Sequence, residues 1–351
     1  MSRLSSPVHQ PLTEYFVDAA KKGKVCPVVG AGASSEVDVP TWNRLIEQLG
    51  NKLSVGVPPD ANPIQAVDIL MAALQRRSGG SKLSREQAEC SFVGQLRDVL
   101  YAPTVNWTRG DNFMTRAPTL LALLALCVAR ASPNRTFHVI TYNFDCLIEE
   151  AIAALGHRAI AVTASQPDPS QGIVFEPETR RSHPVLAESD IRDLLTVRVA
   201  HPHGLIRRSS AAYQPRTAKV VLNDLILSSA SYQRGGRSPF NIHNIWQIAA
   251  FSSLVCLFYG WSFNDAAVQN IIDIGKEIRQ HGGESRETVH LALMKRSTSS
   301  EEYLAGEQSH FQAQGIFRFL TTDFDDQKTF LVHLLRELGV STREPVRKKR
   351  S

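Results

Sequence analysis

The sequence lacks the cysteine spacing that zinc sites and disulfide frameworks require. Its five cysteines are scattered along the chain, and no two of them form a Cys-x-x-Cys pair. This argues against a structural zinc site and against a secreted, disulfide-bonded fold. Cys26, Cys127 and Cys256 stand in apolar runs, as buried core thiols do. We therefore expect a protein without zinc.

Long apolar runs and a signal region are missing as well. The longest run, residues 117–129, contains Pro118 and Thr119 and is too short to span a bilayer, which takes about 20 residues. A buried helix is the better interpretation of this run. No apolar stretch follows the N-terminal arginine, so no secretory signal is predicted. The expected location is the cytoplasm, without membrane contact.

The composition favours a large folded domain with a basic end. A hydrophobic content of 43% over 351 residues supports a substantial core, in one large α/β domain or in two domains. The net charge of +5 comes partly from the tail at 341–351, which is predicted to be solvated and disordered. Whether this tail also contacts nucleic acid or an acidic partner stays open.

Predicted strands and helices alternate along the chain, which indicates an α/β fold with a doubly wound parallel, Rossmann-like sheet. We assign residues 10–340 to one domain. Residues 50–116 are interpreted as a helical insertion or subdomain, and residues 164–190 as a long loop. The strands are predicted at 25–29, 136–141, 158–162, 196–200, 219–222, 254–259, 288–293 and 316–320.

The first predicted strand runs directly into a glycine turn at residues 30–34, Gly-Ala-Gly-Ala-Ser. Glycines there leave room for backbone N–H groups to approach a pyrophosphate at the start of a helix. The fingerprint of hydride-transfer enzymes is not met, because Ser35 stands in place of its third glycine. The lysine of a Walker motif is missing too. By itself the turn fits a nucleotide site and an ordinary strand–helix connection about equally.

Two more predicted strands end in polar residues. Asn143 and Asp145 precede a helix, so Asp145 fits a helix cap as well as a ligand contact. Asn143 can project into a cleft, where its amide can hold a hydroxyl or a water. His203 follows the strand at 196–200, and its imidazole is suited to accept a proton at pH 7. A structural histidine, or a metal pair with His201, are the alternatives.

A fourth polar group follows the strongly apolar run at 254–259. Gly260, Ser262 and Asp265 come after it, either as a turn and helix cap or as groups that face a cleft. Trp261 fits core packing better than stacking against a base. Ligands of doubly wound sheets bind beyond the carboxyl ends of the strands, and all four polar groups stand there.

Together these motifs resemble the sirtuin-like superfamily, especially its bacterial NAD-consuming branch, over roughly residues 10–275. The resemblance implies a dinucleotide site at the glycine turn, a ribose site at the second strand and a catalytic histidine. The implied catalytic residues are Asn143 and His203, and the implied NAD+-binding residues are Gly30, Ala31, Gly32, Ser34, Asp145, Gly260, Ser262 and Asp265. The zinc module of sirtuin deacetylases would lie within 164–190, which contains no cysteine.

We therefore expect an NAD+ glycohydrolase that cleaves NAD+ to nicotinamide and ADP-ribose. The resemblance further implies an effector of bacterial anti-phage defence and a homo-oligomer. It also implies a separately encoded partner, such as a helicase-like ATPase or an Argonaute-type protein. Two alternatives stay open. One is a protein deacylase or ADP-ribosyltransferase that uses the same pocket, and the other is a non-catalytic module that binds NAD+ or ADP-ribose.

Overall fold

The computed structural model describes most of the chain. The described residues are 10–58, 61–76, 84–104, 116–128, 138–163, 173–175, 182–184, 196–208, 225–228, 231, 242–261, 263, 265–283, 290–295, 309–321 and 323–340. The basic tail at 341–351 and the strand predicted at 219–222 lie outside them. Both therefore stay predictions.

The described residues form a single sheet of nine strands. The strands are β1 Val25–Val29, β2 Val139–Thr141, β3 Ala159–Thr163, β4 Ile173–Phe175, β5 Ser182–Pro184, β6 Val197–His201, β7 Val255–Tyr259, β8 His290–Lys295 and β9 Ile316–Thr321. Their order across the sheet is β5-β4-β3-β6-β2-β1-β7-β8-β9. The seven strands from β3 to β9 in this order are parallel, which confirms the predicted doubly wound α/β sheet.

The other two strands correct the sequence-based prediction. Strands β4 and β5 are antiparallel to their neighbours and fall within residues 164–190, which the sequence predicts to be a loop. Each is only three residues long, too short to show an alternating pattern of apolar side chains. Pairing of Ala159 with Phe175 attaches them to the β3 edge of the sheet.

Ten α-helices lie among the described residues, and three of them form a helical group between β1 and β2. They are α1 Gln10–Lys21, α2 Ala31–Ser34, α3 Trp42–Leu53, α4 Pro63–Arg76, α5 Arg85–Tyr101, α6 Pro118–Val128, α7 Leu147–Ala154, α8 Ile242–Ser253, α9 Ala266–His281 and α10 Phe324–Glu337. Helices α3, α4 and α5 form this helical group and contact one another. The last two lie within residues 50–116, the predicted helical insertion, whose boundaries stay a prediction. Among the described residues, no helix is long and apolar enough to cross a membrane.

Apolar side chains on both faces bury the centre of the sheet. On one face, Val28 and Phe258 pack with Phe251 of α8. On the other face, Val29 and Leu257 join the core formed with α6 and α10. Because parallel strands of this kind are buried on both sides, β1 and β7 are apolar throughout rather than alternating. The polar residues next to β1 and β7 therefore stand beyond their ends.

Candidate functional site

Four neighbouring strands bring the predicted site residues to one edge of the sheet. Strands β6, β2, β1 and β7 are adjacent in that order, and all four run in the same direction. Their carboxyl ends therefore meet at one edge, and each strand leads into one of the four polar groups found in the sequence. Doubly wound sheets bind their ligands at this edge.

The glycine turn after β1 packs backbone to backbone against the turn after β7. The Gly32 N–H donates to the Gly260 carbonyl at 2.7 Å, and the Gly30 N–H donates to the Tyr259 carbonyl at 2.9 Å. A Cβ on Gly32 would lie 2.8 Å from the Gly260 oxygen. One on Gly260, where φ is +66°, would lie 2.1 Å from the Ala33 nitrogen. The sequence-based prediction gives this room to a pyrophosphate, but the facing turn occupies the Cβ side of these glycines.

Ser34 joins the glycine turn to the two polar residues that follow β2. The Asn143 side-chain amide donates to Ser34 Oγ at 2.7 Å, and the Ser34 hydroxyl donates to Asp145 Oδ2 at 3.0 Å. All three side chains are buried. Ala31, the first residue of α2, is half-buried beside them. The predicted nucleotide and ribose groups thus form one connected cluster.

Asp145 fixes the direction of these hydrogen bonds. An ionised carboxylate only accepts, so the single hydroxyl proton of Ser34 points at Asp145, and the Ser34 oxygen accepts from Asn143. The Asn143 Oδ1 oxygen is thereby turned away from Ser34. Asn143 is only 4% exposed, and its Oδ1 has no hydrogen-bond partner among the described residues. Because buried polar atoms are nearly always bonded, this oxygen can receive a donor from a bound molecule.

Asp145 binds the first turn of α7 as well as Ser34. Its Oδ1 accepts from the Leu147 N–H at 3.0 Å, in the first turn of α7. Burial raises its pKa from 3.8 to about 6, because a buried carboxylate loses the solvation of its charge. The hydrogen bonds from Leu147 and Ser34 act against this shift, and the nearby Glu149 adds to it. Asp145 is therefore ionised at neutral pH, but only by a narrow margin.

His203 lies just beyond the end of β6 and reaches solvent. Its side chain is 13% exposed, and its Nε2 lies 4.0 Å from Asp265 Oδ2. The ring stands edge-on to Tyr142, with 4.9 Å between the ring centroids. Gly204 turns the chain back with φ +89°, a conformation that suits glycine, and its N–H donates to the His201 carbonyl at 3.1 Å. His203 is thus an accessible imidazole beside a carboxylate.

The turn after β7 supplies that carboxylate and a packed indole. Asp265 caps α9, where its Oδ1 accepts from two backbone N–H groups of the first turn, and its Oδ2 faces His203. Trp261 stacks on Tyr142, with 5.4 Å between centroids and an interplanar angle of 21°, which agrees with its expected packing role. Ser262 lies outside the described residues, so its role stays a prediction.

A buried pair behind Asn143 is not evident from the sequence pattern. His201 and Glu149 are fully buried, with 2.5 Å between Nε2 and Oε1. Burial alone would lower the pKa of His201, but the Glu149 carboxylate outweighs it, so the pKa is raised. His201 Nδ1 lies 3.2 Å from the Asn143 carbonyl oxygen, which leaves neither ring nitrogen for a metal pair with His203. Glu149 and the adjacent Glu150 are the charged residues of a helix that is otherwise apolar, and they were the signal available in the sequence.

The described residues hold no group of three or more His, Cys, Asp or Glu side chains that could bind a metal ion. The Cys26 and Cys256 side chains, expected in the core, are buried on paired strands. The site described so far therefore consists of amide, hydroxyl, carboxylate and imidazole groups. These groups can hold hydroxyls and move protons.

The end of α5 is tied to the chain that follows β6. The Arg208 guanidinium donates to both Glu150 oxygens, at 2.7 and 2.8 Å, and to the Thr104 carbonyl at 2.8 Å. The Tyr101 hydroxyl donates to the Ile206 carbonyl at 2.6 Å, and the guanidinium lies 4.5 Å from the Tyr101 ring centroid. These contacts connect the helical group to both the β2 and the β6 side of the site.

A doubly wound parallel sheet with a glycine turn and polar strand ends at one edge defines a nucleotide-binding α/β protein. The chain belongs to the SIR2-like domain family, whose sequence profile matches residues 138–315, about half of the chain. The match includes Asn143, Asp145 and His203, and the glycine turn precedes it. No curated protein matches the chain. The chain therefore has a sirtuin-related, NAD-dependent function.

Proposed function

We propose that the protein is an NAD+ glycohydrolase, which releases nicotinamide and ADP-ribose. The observation that carries the proposal is the buried Asn143 Oδ1 oxygen, which lacks a partner among the described residues at the ligand-binding edge of the sheet. An acceptor of this kind is suited to a ribose hydroxyl or to an attacking water. The accessible His203 imidazole beyond the neighbouring strand supports the same proposal.

Hydrolysis of NAD+ requires few catalytic groups from the protein. Nicotinamide is a cationic group in NAD+ and leaves as a neutral molecule, so its departure needs no general acid. Positive charge grows on the ribose in the transition state, as in other glycosidic cleavages. In this proposal Asn143 holds the ribose or the water, and His203 takes a proton from the water or from a ribose hydroxyl. Asp265 Oδ2 lies 4.0 Å from the His203 Nε2, so a carboxylate stands beside the imidazole that would receive the proton.

Two other functions use the same pocket. A protein deacylase or an ADP-ribosyltransferase needs a groove for a peptide or another acceptor, which the zinc module frames in sirtuin deacetylases. The corresponding residues, 164–190, contain no cysteine, and this favours water as the acceptor. A non-catalytic NAD+ or ADP-ribose sensor could use the Asn143 acceptor to hold a ribose, but it would not require a proton-accepting imidazole beside it. The presence of both favours an enzyme.

The biological part of the proposal rests on the family resemblance. Depletion of NAD+ would stop an infected bacterial cell, so the protein would act as an effector of anti-phage defence in the cytoplasm. An enzyme of this kind must be restrained in healthy cells. We therefore propose a homo-oligomer that is controlled by a separately encoded partner, a helicase-like ATPase or an Argonaute-type protein.

The test measures nicotinamide and ADP-ribose released from NAD+ by the purified protein, and NAD+ content in bacteria that express it. The variants Asn143→Ala and His203→Ala are each expected to lose about 10²–10⁴-fold in cleavage while they stay folded. Asn51→Ala and His281→Ala are matched controls, since both side chains are exposed and neither residue belongs to the site.

Three outcomes would contradict the proposal. Full activity in either site variant would remove that residue from the mechanism. Turnover of NAD+ only when an acetylated peptide is added would indicate a deacylase. Tight binding of ADP-ribose without product release, in the test tube and in cells, would indicate a sensor.

A further inference from the structure

The buried pair of Glu149 and His201 does not face the ligand edge directly, yet it contacts the residue on which cleavage would depend. Neither side chain has any exposed surface. A carbonyl oxygen can only accept, so His201 Nδ1 carries a hydrogen and donates it to the Asn143 carbonyl at 3.2 Å. His201 Nε2 is held by the Glu149 carboxylate at 2.5 Å. The ring thus links helix α7 to the backbone of Asn143.

Stability alone is a poor reason for such a pair. Removing two polar groups from water is costly, and apolar side chains of the same volume fill a core equally well or better. An apolar pair between β6 and α7 would not, however, hold the backbone of Asn143. The pair therefore has a consequence for the site that core packing does not explain.

The other polar groups of Asn143 are also held in place. Its N–H donates to Thr141 Oγ1 at 3.1 Å, its side-chain amide donates to Ser34 at 2.7 Å, and its carbonyl accepts from His201. The Oδ1 oxygen alone has no partner among the described residues. Three hydrogen bonds thus fix the orientation of the Asn143 Oδ1 oxygen, which is left to bind a ligand.

We propose that His201 is a positioning residue for Asn143, and that Glu149 orients the His201 ring so that Nδ1 faces the Asn143 carbonyl. This inference rests on the proposed function, because it assigns a role in NAD+ cleavage. Neither residue would touch the substrate. Both would act through the orientation of the Asn143 amide, and a small displacement of such a group can cost about 10²-fold in rate.

Two substitutions separate this role from a structural one. The amide nitrogen of asparagine can replace Nδ1 of histidine, whereas that of glutamine, one carbon further out, can replace Nε2. His201→Asn should therefore keep the hydrogen bond to the Asn143 carbonyl and lose the hydrogen bond to Glu149. His201→Gln should keep Glu149 and lose the bond to Asn143. Because His201→Asn leaves the Glu149 carboxylate without its partner, both variants are also made in a Glu149→Gln background, which removes that charge.

The kcat of His201→Gln is expected to fall about 10–100-fold, and that of His201→Asn to stay within about threefold of wild type, in both backgrounds. The melting temperatures should rank the opposite way when Glu149 is present, since His201→Asn buries an unpaired carboxylate. The inference would be overturned if the activities of the two variants followed the order of their melting temperatures. It would also be overturned if His201→Asn lost as much activity as His201→Gln in both backgrounds.

Calorimetry with ADP-ribose separates failure of the inference from failure of the proposed function. Wild-type protein that binds ADP-ribose but releases no nicotinamide contradicts the proposed glycohydrolase. The positioning role is then decided by affinity, and it stands only if His201→Gln weakens ADP-ribose binding more than His201→Asn does. Wild-type protein that neither cleaves NAD+ nor binds ADP-ribose overturns both.

Discussion

Replacement of Asp145 by asparagine is expected to stabilise the fold and to slow NAD+ cleavage. The folded protein binds the Asp145 proton more tightly than the unfolded chain, since burial raises its pKa from 3.8 to about 6. The charge on Asp145 therefore lowers the free energy of unfolding as the pH rises through this range, and the loss is complete above pH 6. An asparagine carries no charge and so escapes this loss.

The magnitude follows from the size of the shift. About two pKa units correspond to about 3 kcal/mol at pH 7.5. Asparagine keeps an oxygen for the Leu147 N–H, but it presents an amide to the Ser34 hydroxyl, and the loss of that bond costs about 1 kcal/mol. The net gain is about 2 kcal/mol at pH 7.5. At pH 5 about half of the charge effect is gone, so the gain falls to roughly zero to 1 kcal/mol.

The assay is urea unfolding of the wild type and of Asp145→Asn at pH 7.5 and pH 5.0, together with nicotinamide release. Asp273→Asn is the control, because Asp273 is exposed on α9 and a change there should stay within about 0.5 kcal/mol. Cleavage should fall because Ser34 no longer has its acceptor and Asn143 loses its fixed orientation. A variant that is less stable than wild type by the same amount at both pH values would refute the reasoning.

Three further predictions concern the glycine turn, the Arg208 network and assembly. Gly32→Ala should weaken ADP-ribose binding in calorimetry, because its Cβ would push the facing turn away. The control is Gly94→Ala in α5, which should bind ADP-ribose normally because a Cβ at Gly94 meets no atom within 4 Å. Arg208→Met should lower the free energy of unfolding in urea by about 1–3 kcal/mol, since it breaks two charged bonds to Glu150. The exposed Lys22→Met should cost less than about 1 kcal/mol. Light scattering is expected to find a homo-oligomer, with strong NAD+ hydrolysis confined to a larger assembly; a monomer that is fully active at all concentrations would contradict this.

The sheet and its polar edge could be predicted because their signals are local. The apolar strands β1 and β7 each run straight into a glycine, and the structure places β1 at the predicted residues, Val25–Val29. Parallel sheets bind ligands at the carboxyl ends of their strands. The polar residues that follow the strands could therefore be assigned to one site without knowledge of the strand order. Asn143, Asp145 and Ser34 come together for this reason.

The remaining features depend on contacts that no local pattern encodes. Strands β4 and β5 are defined by pairing with β3, and the Cβ side of Gly32 is defined by Gly260, far along the chain. The partner of His201 lies 52 residues away, so the sequence offered a metal pair with His203 only as an alternative, whereas the structure pairs His201 with Glu149. His201 and His203 are close in sequence but have different surroundings, because Pro202 separates the buried strand end from the accessible turn.

The position of β1 between β2 and β7 also determines when the protein can first act during its own synthesis. Val25 pairs with Val255, and the Gly32 N–H donates to the Gly260 carbonyl. A ribosome that adds about 5–20 residues per second needs roughly 10 to 45 seconds to make the chain between these strands. Until β7 has been made, one edge of β1 lacks its paired strand, and the glycine turn lacks the facing turn at Gly260. A nascent chain therefore carries no finished site at this edge of the sheet until β7 and the turn at Gly260 have been made.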